Sequence, residues 1–81
     1  MSDAKELRVA ILHEYSKATS PRAQQACAIL YDLVSDDVFA PAINDWLLTH
    51  LPDVLSIRST PEELTPNAVE DAVITAARYL R

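Results

Sequence analysis

The chain has no glycine among its 81 residues. That absence removes the glycine-rich phosphate loops of nucleotide-binding proteins, whose backbones need residues without a Cβ. It also argues against two-residue β-hairpins, which place glycine or asparagine at positive φ. Few β-branched residues alternate with polar ones, so a sheet is not expected. Cysteine occurs once, as Cys27, and no disulfide can close within the chain. No apolar run reaches the roughly 18 to 20 residues that cross a membrane, and the first residues do not resemble a secretory signal. These features predict a soluble, cytoplasmic protein. Basic residues are few: 7 Lys and Arg stand against 12 Asp and Glu, for a net charge of -5. Duplex DNA and anionic membranes are therefore not expected partners.

What is present favours helix. Hydrophobic residues make up 49% of the chain, and alanine supplies much of that. Alanine is the strongest helix former and lets helices approach closely. The length fits one domain, residues 1–81. A chain this short buries only about 60 to 65% of its unfolded surface, so its core has little to spare. The fold class predicted is all-α: a compact bundle of four main helices near 4–17, 21–34, 37–51 and 66–80. One or two short single-turn helices are expected between 53 and 64.

The most apolar surface comes from Val38 to Leu51. Phe39, Ile43, Trp46, Leu47 and Leu51 recur at helical spacing, and this stretch holds the only Phe and the only Trp. Asn44, Asp45, Thr49 and His50 fall mainly on the other side. This helix is expected to sit centrally. Pro41 fits either of two starts. Asp37 can cap a helix that begins at Asp36 or Asp37, or a turn over 36–39 can precede a helix that begins at Pro41. Leu51-Pro52 should end it, because the residue before proline avoids helical dihedrals. Residues 52–57 read as a short turn or an extended piece, and the turn is preferred.

The other helices announce their starts. Asp3 or Ser2 caps the first, with Glu6 where a capping box from Asp3 needs it. Its predicted buried stripe is Leu7, Ile11 and Tyr15, widened by Ala4, Leu12 and Ala18. Lys5, Arg8, Glu14 and Lys17 form its wet face. Ser20-Pro21 opens the second helix, whose buried face is Ala23, Ala26, Cys27, Leu30, Leu33 and Val34. Thr60-Pro61-Glu62-Glu63 is a capping box that suggests a turn over 61–64, and Thr65-Pro66 starts the last helix. Val69, Ala72, Val73, Ala76, Ala77 and Leu80 make its stripe.

Little chemistry is legible. His13-Glu14 begins like a zinc-binding HExxH, but Lys17 stands where the second histidine is required. No His or Cys pair has zinc-ligand spacing, and the acids lack the calcium-loop pattern, so neither metal nor cofactor is expected. Cys27 reads as a small buried hydrophobe rather than a nucleophile. A helix-turn-helix reading of the second and third helices fails because the third offers no Arg or Lys to DNA. No enzyme activity is expected.

Charge distribution says more. Residues 32–71 hold nine acids and one base, Arg58, for a net -8. Either these acids cap helices and face water, or they form a surface for a partner protein, for example one with a basic surface. The candidate contact residues are Asp32, Asp36, Asp37, Asp45, Glu62, Glu63, Glu70 and Asp71. The expected function is a small acidic protein–protein interaction or regulatory module. Its alternatives are an acidic inhibitor that occupies a basic site on its target and a structural homo-oligomer or accessory subunit. Leu12, Ile29 or Leu48 exposed beside the polar face would favour contact by packing.

Overall fold

Three of the four helices begin on proline, which lacks only a hydrogen that a helix start leaves unpaired anyway. The computed structural model describes residues 4–55 and 64–79. Within them lie α1 (Ala4–Lys17), α2 (Pro21–Ser35), α3 (Pro41–Leu55) and α4 (Pro66–Tyr79), and no strand. The all-α prediction holds. Ser20 caps α2, its Oγ accepting the Ala23 N–H at 3.1 Å. Thr65 does the same for α4, accepting from Ala68 at 3.2 Å. The capping box at 60–63, the caps proposed at Ser2 and Asp3, and Leu80 lie outside the described residues.

The third helix starts later than the 37–51 range predicted. Asp36 and Asp37 do not cap it; they close α2. Asp37 adopts φ 54°, the left-handed region. Its N–H donates to the Val34 carbonyl, and the Val38 N–H donates to Leu33, each at 3.2 Å. This is a Schellman motif, in which one left-handed residue satisfies the last helical carbonyls. Glycine normally takes that position. In a chain without glycine it falls to aspartate, which tolerates the conformation better than most residues. The connection then runs to Ala40, and α3 begins at Pro41, the second of the two starts considered.

α3 also continues past its predicted end, to Leu55. It is broken at His50, where φ is -110° and ψ is 16°. Pro52 explains the break: it has no N–H to give Leu48 and it crowds the preceding turn. Residues 51–55 continue α3 beyond this kink; the rest of the short turn expected over 52–57 lies outside the described residues.

The helices form a ring in the order α1, α2, α4, α3. α1 against α2 is the most extensive pairing. α2 packs on α4, α4 on α3 and α3 on α1; α2 and α3 touch weakly across the diagonal, and α1 does not reach α4 among the described residues. α3 is thus one wall of the bundle and not its centre. Leu7, Ile11, Cys27, Leu30, Val34, Leu47 and Val73 are all within 1% of complete burial. The radius of gyration, 11.4 Å, matches the roughly 12 Å of a compact chain this long.

Three side chains depart from the predicted faces. Asn44, placed on the polar side of the third helix, is only 7% exposed. Tyr15, assigned to the buried stripe of the first, is 45% exposed, and Leu12 beside it is 52% exposed. α1 leans on α2 along a narrow arc centred on Leu7 and Ile11, which leaves both residues at its edge.

Candidate functional site

Six of the eight acids singled out from the sequence lie among the described residues, on or at the ends of three helices. Asp32, Asp36 and Asp37 gather at the C-terminal end of α2, all exposed, with the Asp36 N–H donating to the Asp32 carbonyl at 3.0 Å. Asp45 stands exposed on α3. Glu70 is half-buried and Asp71 exposed on the second turn of α4. Glu62 and Glu63 lie outside the described residues. Read as caps for the third helix, Asp36 and Asp37 would have faced a positive dipole end. At the end of α2 they face the negative one. Each carboxylate there costs up to about 1 kcal/mol in place of a comparable gain. Asp36 and Asp37 close α2 through their backbones, but the helix dipole does not favour their carboxylates.

A shallow groove of about 270 Å³ runs along the α1/α2 seam. Ile11 and Cys27 form its base, Leu12, Tyr15, Ala28 and Tyr31 its apolar walls, and Asp32 its rim. Val9, 62% exposed, adds to the apolar surface of α1. The Cys27 thiol is pushed above its usual range, first by burial and then by the nearby Glu14 carboxylate. It is therefore a protonated, inert wall. Glu14 is itself held 3.5 Å from Lys17.

A second, larger cavity of about 550 Å³ opens between α3 and α4. Val38, Phe39, Ala40, Ile43, Ile74 and Ala77 line it, and Arg78 brings its only charge. The sequence placed Phe39, Ile43 and Ala77 on apolar stripes, but gave no sign that those stripes would fail to close on one another.

Two polar atoms are buried without a partner among the described residues: Asn44 Oδ1 and Trp46 Nε1. Neither residue lines the two cavities described. No group of three or more His, Cys, Asp or Glu among the described residues converges on a point that would hold a metal ion. No described helix is long and apolar enough to cross a membrane. Compared with known proteins, the chain matches no family model, no curated protein and no solved structure.

Proposed function

We propose that this chain is a small non-enzymatic protein–protein interaction module that meets its partner through the α1/α2 face. One observation carries the reading. The core closes around Leu7, Ile11, Cys27 and Leu30, yet Val9, Leu12 and Tyr15 on the same helix stay 45 to 62% exposed. Folding does not need these side chains outside, whereas an interface does. Leu12 is the exposed apolar position that favours contact by packing; Ile29 and Leu48 are half-buried.

The second reading, an acidic inhibitor for a basic site, is supported by the corner at Asp32, Asp36 and Asp37, where carboxylates oppose the helix dipole. A third, a homo-oligomer or accessory subunit, would use the same apolar face.

The readings separate in one experiment. The tagged chain is immobilised, exposed to an extract of its native source and washed with rising salt. A defined partner that survives moderate salt but is lost with the L12A/Y15A pair supports the packing interface. A partner released by salt and lost with the D32K/D36K pair supports the inhibitor, because exposed charge pairs are screened within about a Debye length. Recovery of nothing but untagged copies of the chain overturns both in favour of self-association.

A further inference from the structure

We propose that the α3/α4 cavity binds a small carboxylic acid with an apolar chain. Its volume, about 550 Å³, falls in the range of small-molecule sites, roughly 300 to 1,000 Å³. Its chemistry is that of such sites: apolar walls with few polar groups to fix orientation. Val38, Phe39, Ile43, Ile74 and Ala77 accept a hydrocarbon chain. Arg78 supplies five N–H donors in a planar fork, which match a carboxylate in two-point contact. That guanidinium has no ion-pair partner among the described residues.

The sign of the ligand follows from what surrounds the cavity. Ala40, which also lines it, immediately precedes α3 and offers no side-chain acceptor to cap that helix. The positive end of the α3 dipole therefore adjoins the cavity that Arg78 also lines. The net charge of -5 opposes any anion. A dianion such as a phosphate ester gains too little from one arginine to overcome that field. A monoanion whose affinity comes mainly from a buried chain does not face the same limit. The apolar lining and single cation together select an apolar monocarboxylate.

The test uses the full chain, isotope-labelled on nitrogen, titrated with octanoate, octylamine, octanol and acetate while amide shifts are followed. Octanoate is expected to bind saturably, moving residues 38–43 and 74–78. Octylamine and octanol should bind more weakly, by up to about fivefold, the most that one exposed charge contact supplies. Acetate should not saturate. Arg78→Gln, an exposed position where folding is not at stake, should bring octanoate down to the level of octanol. No saturable octanoate shift overturns the proposal. So does binding that octylamine equals, that Arg78→Gln leaves unchanged, or that maps to the α1/α2 groove instead.

Discussion

The imidazole of His50 lies flat on the indole of Trp46, ring centroids 4.6 Å apart and planes 16° from parallel. Its Nδ1 sits 3.0 Å from the Trp46 carbonyl oxygen, so Nδ1 carries the hydrogen. One side chain thus spans the break that Pro52 imposes on α3. It bonds a carbonyl of the preceding turn and stacks on the ring of the same residue. Replacement of His50 by alanine should cost about 1 kcal/mol, the scale of an aromatic pair. Emission from Trp46, the only tryptophan, should change in the same variant. Unchanged emission and an unchanged melting temperature would show that the stack contributes nothing.

Asp37→Gly should stabilise the protein. The left-handed conformation costs an L-residue roughly 1 to 2 kcal/mol, less for aspartate, and glycine avoids it. The change also removes a carboxylate from the negative end of α2. A gain near 1 kcal/mol should raise the melting temperature by about 4 to 8 °C. Asp37→Ala separates the two causes, because it removes the charge but keeps the Cβ. If alanine stabilises as much as glycine, electrostatics dominates and the backbone argument fails.

Leu47 and Leu12 should respond in opposite ways. Leu47 is completely buried, and its truncation to alanine should cost about 2 to 5 kcal/mol, enough to unfold much of so small a domain. Leu12→Ala should change stability by less than about 0.5 kcal/mol. Urea melts of the two variants provide the comparison. A large loss at Leu12 would make it a core residue and remove the main support for an interface on α1.

Cys27 should react slowly with thiol reagents until the chain unfolds, since the thiolate is the reactive form and burial disfavours it. The folded state keeps this proton to higher pH than the unfolded chain does. Its contribution to stability is therefore complete below the ordinary thiol range and declines as pH rises through it. A Cys27→Ala variant should lose that alkaline decline. Rapid native-state labelling would contradict the burial.

How far the sequence led can be judged at particular residues. Ser20-Pro21 and Thr65-Pro66 marked two helix starts, because a capping hydroxyl and a proline are local chemistry that tertiary contacts seldom override. The buried face of α2 was equally plain. The end of α2 was placed within one residue, but how it closes was not legible: the usual sign is glycine, and Asp37 in its place resembles a cap for the next helix. Asn44 and Tyr15 were misplaced for a different reason. Helical spacing fixes which residues share a face, but the width of the buried arc depends on where neighbouring helices lie. The ring order of the helices has no local signature at all. The acidic stretch was visible as composition, yet how its members lie around the bundle depends on that order.

The ring also divides the molecule into two clasped halves, α1 with α2 and α3 with α4, joined only by the short span from Asp36 to Ala40. Each half is contiguous in sequence, and each covers the apolar side of the other. Two chains that opened at this joint could trade halves and recover every contact between them, paying only the entropy of association. The left-handed turn at Asp37 folds the joint back on itself and keeps the exchange within one chain. A proline at Val38, which would remove the N–H that closes this turn on Leu33, should favour the exchanged form. Sedimentation would then report a species of twice the mass with the same helix content; a monomer at every concentration would show that the joint does not govern the exchange.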